Sequence, residues 1–149
     1  MKLENKAWLL ARQYHEGQKD DDGNDYFEAH ILPVARVLRA LGCSDEVVSA
    51  GFLHDTLEDT KLTYEMIWSI CGKRVADLVL QVTHDGKADN KGFYFPRLGT
   101  KDSDRDAVLI KFADRMSNLV RMGSWDIARR EHYLRKSRFW KVSADDKTR

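Results

Sequence analysis

The sequence predicts an all-α protein that folds as a single compact helical domain. Only two prolines, Pro33 and Pro96, occur in 149 residues, so few helices would be interrupted. Apolar residues recur at helical spacing in successive segments, and no hairpin turn joins two alternating segments. These observations favour helices over strands along the chain.

The first helices are separated by a polar loop. An amphipathic helix is predicted over residues 3–16, and a loop rich in Asp and Gly follows to Asp25. The next helix covers residues 27–41, with Pro33 in its first turns, and stops at Gly42.

Serine and threonine mark the starts of the following helices. Ser44 is predicted to cap a helix that runs to Leu57, and Thr63 to cap a short helix that ends near Gly72. Residues 73–83 allow a strand, but their apolar spacing favours a helix.

The second half contains a charged segment and two longer helices. Glycines punctuate residues 84–101, which are predicted to form either a lid over a substrate or a solvated loop. Helices are predicted over residues 102–122 and 125–140. We therefore expect the domain to cover residues 1–142, followed by a polar, frayed tail at 143–149.

Composition narrows the class of protein. The 25 Lys+Arg and 24 Asp+Glu residues leave a net charge of +1, which argues against nucleic-acid binding by bulk charge. No apolar run is long enough to span a membrane, and the first residues do not have the pattern that we expect of a secretory signal. Cys43 and Cys71 form neither a disulfide framework nor a zinc pattern, so we expect a cytoplasmic protein.

The strongest chemical signal is the segment HDTLED at residues 54–59. On a helix, His54 and Glu58 would share one face, and Asp55 and Asp59 the neighbouring face. Clustered carboxylates repel one another unless a cation lies between them, and His with Asp suits Mn²⁺, Fe²⁺ or Zn²⁺. The alternative is a solvated helix end, although the small and apolar residues just before the segment favour a cleft.

Two further residues are candidates for the same chemistry. His30 begins an apolar helix, where the alternative is a histidine bonded to a backbone carbonyl. Asp114 lies within an apolar stretch, where aspartate is disfavoured by helix propensity and by burial. Its alternative role is an ion pair with Lys111 or Arg115.

These residues together resemble a known family. In order along the chain, they resemble the H…HD…D signature of the HD superfamily of metal-dependent phosphohydrolases. More closely, the chain is similar to the small stand-alone form of the hydrolase domain of stringent-response alarmone enzymes. The matching stretches span most of the chain: His15 to Gln18 (HEGQ), Tyr26 to Ala35 (YFEAHILPVA), His54 to Thr60 (HDTLEDT), Val75 to Thr83 (VADLVLQVT) and Lys111 to Asn118 (KFADRMSN).

The resemblance implies an activity and residue roles. It implies a hydrolase of a small phosphorylated substrate, a nucleotide, with removal of the 3′-pyrophosphate of (p)ppGpp as the closest reaction. Glu58 and Asp59 would position or activate the attacking water, and Asn118 would touch the sugar or a phosphate. One metal ion, usually Mn²⁺ in these relatives, would be held by four residues: His30, His54, Asp55 and Asp114.

The substrate-facing residues depart from the family pattern. Relatives that hydrolyse the guanine alarmone usually carry an Arg-Lys pair that packs on the base, whereas this chain has Asp20 and Asp21 there. A threonine that usually follows the asparagine by three residues is Arg121 here. The substrate-binding candidates are therefore Asn118, Lys19 and Arg121, and another nucleotide or phosphate ester is an alternative substrate.

A non-catalytic helical binding module is the other alternative. Residues 129–149 contain eight Lys+Arg and three Asp+Glu, and such a basic stretch can bind another macromolecule or simply dock on its own domain.

Overall fold

The computed structural model describes residues 1–83 and 104–136, and in these ranges the prediction of an all-α fold is confirmed. An isolated bridge between Lys19 and Asp25 is the sole β-type pairing in these ranges. The helices are α1 (Leu3–Tyr14), α2 (Leu32–Ala40), α3 (Asp45–Leu53), α4 (Thr56–Asp59), α5 (Tyr64–Cys71), α6 (Lys73–Val82), α7 (Arg105–Arg121) and α8 (Ile127–Lys136). A π-helical turn, Phe27–Ile31, precedes α2, and a 3₁₀ turn, Met122–Ser124, joins α7 to α8.

Several sequence predictions lie outside the described residues. They are the loop at 84–101, the last part of the helix at 125–140, and the tail at 143–149. None of the helices in the described ranges combines the length and the apolar character that a membrane span requires.

The predicted helix starts at Ser44 and Thr63 are confirmed. The Oγ atom of Ser44 accepts a hydrogen bond from the Val47 N–H at 3.3 Å. Thr63 accepts from the Met66 N–H at 3.2 Å in the same way. The next segment, α6, is a helix and not a strand.

The predicted continuation of one helix to Leu57 is wrong. Helix α3 ends at Leu53, and the two residues that follow lie in a turn. At this point, side chains donate hydrogen bonds to main-chain carbonyl oxygens of α3. His54 Nδ1 donates to the Gly51 oxygen at 2.7 Å, and Thr56 Oγ1 donates to the Leu53 oxygen at 2.7 Å. Such side-chain bonds compete with the hydrogen bonds of the helix, and the chain becomes helical again only at Thr56, where α4 begins.

Helix α3 lies at the centre of the core. All its residues from Val47 to Leu53 are buried, and it packs against α1, α2, α6 and α7. Phe52 stacks on Phe27 with ring centroids 6.4 Å apart. Gly51 lets α2 approach closely, because a Cβ atom there would lie 2.5 Å from Leu38 Cδ1. This packing brings the end of α3 beside the turn that precedes α2.

Replacing Gly51 by alanine is expected to lower the free energy of unfolding by about 1–3 kcal/mol. The added methyl group would overlap the end of the Leu38 side chain, which is fully buried, so that side chain would have to shift within the packed core. Gly123→Ala is the matched control, since a Cβ atom there meets nothing within 4 Å. Urea denaturation measures both variants, and equal stability of Gly51→Ala and the wild type would contradict the close approach.

Candidate metal centre

Three separate parts of the chain bring four side chains to one point. His30 comes from the π-helical turn before α2, a local distortion that is frequent at functional sites. His54 and Asp55 come from the turn between α3 and α4, and Asp114 comes from the middle of α7. One nitrogen or oxygen atom from each lies within 4.8 Å of the others. The structure thus assembles the four residues that the resemblance named.

The converging atoms are two imidazole nitrogens and two carboxylate oxygens. The Nε2 atoms of His30 and His54 are 3.2 Å apart. Oδ1 of Asp114 lies 3.0 Å from the first and 3.3 Å from the second. Oδ2 of Asp55 lies 3.4 Å and 3.1 Å from the same two atoms. The side chains of both histidines are at most 3% exposed, so water does not screen these contacts.

The far nitrogen of each imidazole is also engaged. His54 Nδ1 faces the carbonyl oxygen of Gly51, which only accepts, so Nδ1 carries a proton, and in the neutral ring Nε2 presents its lone pair. His30 Nδ1 lies 2.9 Å from Ser117 Oγ, a hydroxyl oxygen that can accept the same kind of bond. With both rings in this tautomer, two lone pairs would face each other at 3.2 Å. A cation between them fits this arrangement.

Each carboxylate is held by a donor on its own side. The Tyr26 hydroxyl donates to Asp55 Oδ2 at 2.7 Å. Lys111 Nζ lies 3.0 Å from Asp114 Oδ2, and its side chain is 12% exposed. The ion pair with Lys111, the alternative role considered for Asp114, therefore exists alongside the cluster, because the two oxygens of the carboxylate face different partners.

The surrounding charges and hydrogen bonds stabilise the ionised forms of the buried candidate ligands. Burial opposes ionisation of Asp55 and Asp114, yet the neighbouring His54 and Lys111 respectively, with the hydrogen bonds from the histidines, hold the pKa of each carboxyl well below its usual range. Burial would lower the pKa of His54, but the two carboxylates raise it well above its ordinary value. Carboxylates that stay ionised when buried are suited to bind a divalent cation.

The predicted water-activating residues lie in α4, next to this group. Glu58 and Asp59 are exposed at the end of that short helix. The carboxyl of Asp59 is nevertheless partly withdrawn from water, and this desolvation, followed by the charge of Asp55, raises its pKa. A raised pKa makes a carboxylate a better proton acceptor near neutral pH.

The sequence did not predict the side chain that forms a hydrogen bond with the main chain of Asp59. Gln18 Nε2 donates to the main-chain oxygen of Asp59 at 3.0 Å, and His15 Nδ1 lies 2.7 Å from Gln18 Oε1. Both His15 and Gln18 belong to the motif HEGQ, which the sequence links to the family only through its place along the chain. The contact itself joins residues 41 positions apart, so local patterns give no sign of it.

A cleft of about 400 Å³ has Tyr26 and Asn118 in its lining, and these two residues contact the candidate ligands Asp55 and Asp114. Its volume falls in the range of small-molecule sites, about 300–1,000 Å³. All three substrate-binding candidates line it, together with aromatic, charged and polar side chains that the sequence analysis did not assign to substrate: Asp20, Asp21, Asp22, Tyr26, Trp125, Arg129, His132 and Tyr133.

Asn118 connects the cleft to the metal ligands. Its Nδ2 atom donates to Asp114 Oδ1 at 3.4 Å and to the Tyr133 hydroxyl oxygen at 2.7 Å. Its Oδ1 atom accepts from Arg121 at 2.7 Å. The guanidinium of Arg115 lies 4.9 Å from the Tyr133 ring centre, which fixes that ring in the wall.

The chain is similar to several known proteins. A family model described as HD domain matches residues 7–91. The guanosine-3′,5′-bis(diphosphate) 3′-pyrophosphohydrolase of Aquifex aeolicus is 39% identical over 118 residues, which are 76% of this chain and 17% of that protein. The bifunctional (p)ppGpp synthase/hydrolase SpoT of Escherichia coli is 32% identical over 139 residues, covering 89% of this chain and 20% of that protein. The chain thus spans about one fifth of the length of these curated relatives.

A solved structure extends the similarity to the fold. It is described as a metazoan ortholog of SpoT that hydrolyzes ppGpp and plays a role in starvation responses. The TM-score is 0.80 at 26% sequence identity, and the match covers 94% of this chain and 84% of that one.

Proposed function

This chain belongs to the HD domain family, and from that premise we propose that it is a metal-dependent phosphohydrolase acting on a nucleotide. The closest reaction is removal of the 3′-pyrophosphate of (p)ppGpp, the activity named for the similar protein of Aquifex aeolicus. The observation that carries the proposal is the convergence of two imidazole nitrogens and two carboxylate oxygens within 4.8 Å. We propose residues 1–142 as the hydrolase domain.

The proposed metal ligands are His30, His54, Asp55 and Asp114. Two nitrogen and two oxygen donors suit Mn²⁺, and Fe²⁺ or Zn²⁺ are alternatives with the same donor preference. When bound, such a cation supplies positive charge beside the phosphoryl oxygens and lowers the pKa of water.

Other residues of the chain would activate the water and bind the substrate. Glu58 and Asp59 would orient the attacking water and accept its proton. The water oxygen would bond to the phosphorus attached to the ribose 3′ oxygen. The bond from that phosphorus to the 3′ oxygen would break, pyrophosphate would leave, and the 3′ oxygen would take up a proton. Asn118, Lys19 and Arg121 would contact or frame the rest of the substrate from the cleft.

Removing the hydroxyl of Ser117 is expected to weaken Mn²⁺ binding by about 10- to 100-fold. Ser117→Ala takes away the hydrogen-bond partner of His30 Nδ1, which lies 2.9 Å away and fixes the ring. Ser49→Ala is the matched control, because Ser49 is also buried and its Oγ atom has no hydrogen-bond partner in the described ranges. Isothermal titration calorimetry with Mn²⁺ measures both, and an unchanged affinity of Ser117→Ala would contradict the role of Ser117 in orienting His30 as a ligand.

A nucleotide with a different base is the second candidate substrate. The observation that favours it is the acidic pair Asp20 and Asp21, which cannot offer a cation to a base. In addition, the side chain of Asp20 is only 5% exposed and pairs with Arg121.

A substrate panel tests the proposed function. The metal-loaded protein is incubated with ppGpp, its adenine counterpart, a dinucleotide and p-nitrophenyl phosphate, and released phosphate and pyrophosphate are measured. Pyrophosphate release from a 3′-pyrophosphorylated nucleotide is the expected result. Turnover of the dinucleotide or of p-nitrophenyl phosphate alone would keep the hydrolase and overturn the 3′-pyrophosphate assignment. No turnover of any member would favour the non-catalytic binding module.

A further inference from the structure

The loop of residues 18–25, called here the acidic loop, is closed by one of its own side chains. Oδ1 of Asp20 accepts the backbone N–H groups of Asp22 and Asn24 at 3.0 and 2.8 Å. Gly23 has a φ of +81°, a conformation that glycine adopts without strain. Asp20 therefore shapes the loop before it contacts any other element.

The second oxygen of Asp20 ties this loop to helix α7. Oδ2 lies 3.1 Å from Arg121 Nη1, and the two side chains are 5% and 19% exposed. Burial opposes ionisation of Asp20, but the two backbone hydrogen bonds and the bond from Arg121 outweigh it and lower the pKa of Asp20. The other end of the guanidinium, Nη2, donates to Asn118 Oδ1 at 2.7 Å. One arginine therefore connects the loop to the asparagine that contacts Asp114.

Asp20 and Arg121 both form hydrogen bonds with other groups of the protein. Both oxygens of Asp20 accept hydrogen bonds, and Arg121 serves Asp20 and Asn118 together. The ion pair is thus placed to shape the cleft and to hold Asn118. The rings of Trp125, Tyr133 and His132 form other parts of the cleft lining and can contact the flat ring of a base.

We propose that Asp20 and Arg121 are paired positioning residues that govern binding of the nucleoside half of the substrate. They fix the acidic loop and Asn118 around the cleft and leave the phosphate chemistry at the metal ligands unchanged. This inference rests on the proposed function for the identity of the ligand as a nucleotide.

A double-mutant cycle on Asp20→Asn and Arg121→Gln tests the pairing. Asparagine keeps an oxygen that can accept the loop hydrogen bonds, so the substitution removes the charge and leaves the turn. Each single variant leaves one buried charge without its partner, and each is expected to weaken binding of GDP or ADP about tenfold. The double variant leaves neither charge without its partner. We therefore expect it to lose no more nucleotide affinity than the single variant that binds the nucleotide more weakly.

Binding is measured by calorimetry with Mn²⁺ present, for GDP, ADP and inorganic pyrophosphate separately. Pyrophosphate affinity is expected to stay within about twofold in all three variants, whereas a general loss of structure would weaken it as well. Arg39→Gln is the matched control, because it breaks the Glu4–Arg39 ion pair, also 3.1 Å long, on helices that do not line the cleft. The control should bind both nucleotides as the wild type does.

The outcomes separate this inference from the hydrolase proposal. The inference is supported if each single variant loses about tenfold in nucleotide affinity, the losses are not additive in the double variant, and pyrophosphate affinity is unchanged. Additive losses, equal losses for pyrophosphate, or no binding of either nucleotide to the wild type would overturn it. Because calorimetry needs no turnover, an inactive protein would refute the hydrolase and would still show whether Asp20 and Arg121 act together in nucleotide binding.

Discussion

Replacing Asp114 by asparagine is expected to lower kcat/KM by about 10³-fold or more and to abolish stoichiometric binding of the divalent cation. Oδ1 of this residue lies 3.0 and 3.3 Å from the two histidine nitrogens, at the centre of the converging atoms. A carboxamide keeps the size of the side chain but loses its negative charge, and it can present an NH₂ group to the cation. Metal content by mass spectrometry and steady-state kinetics measure the effect.

The control for this variant is an aspartate on the same helix. Asp106 lies in the first turn of α7 and pairs with Arg74 at 2.7 Å, away from the cluster. Asp106→Asn should retain the metal and the activity. An Asp114→Asn protein that still binds one metal ion per chain and turns over substrate normally would show that the cluster is structural.

Replacing Glu58 by glutamine is expected to lower kcat by about 10²–10⁴-fold while metal binding stays intact. Glutamine keeps the shape of the side chain but cannot accept the proton of the attacking water. Asp59→Asn is expected to act in the same direction, because its carboxyl has a raised pKa caused by burial and by Asp55. The two substitutions therefore separate proton transfer from metal binding, which Asp114→Asn removes.

Glu65→Gln is the control for loss of an exposed acidic side chain. Glu65 lies in the first turn of α5, outside the described cluster and cleft. Its substitution should leave kcat unchanged. If Glu58→Gln and Asp59→Asn both turned over substrate at the wild-type rate, the water-activating role assigned to α4 would be wrong.

The sequence predicted the fold class and identified the four candidate ligands. The spacing of apolar residues was sufficient for α1, α2 and α6, because each helix buries one face and its pattern is local. The cap at Thr63 was sufficient for the start of α5. The segment HDTLED stood out because charge follows directly on a small and apolar stretch. Its local conformation was mispredicted, because the bonds of His54 and Thr56 to main-chain oxygens end α3 early.

Contacts between distant segments could not be predicted from local patterns. In the sequence, the two departures from the family pattern, Asp20 and Arg121, have no evident connection. In the structure they contact each other, although they are 101 positions apart. Tyr133 was likewise missed as a partner of Asn118, because their contact depends on how α8 packs near α7. In each case the missing information is tertiary packing.

A metal titration tests whether His30, His54, Asp55 and Asp114 hold one divalent cation on which hydrolysis depends. Metal-free protein is titrated with Mn²⁺, and bound metal and the rate of nucleotide hydrolysis are followed in the same samples. We expect binding to saturate at one Mn²⁺ per chain and the rate to rise in proportion until the same point. Full hydrolysis by the metal-free protein, or saturation with Mn²⁺ without turnover of any nucleotide, would contradict the proposed dependence of hydrolysis on this metal centre.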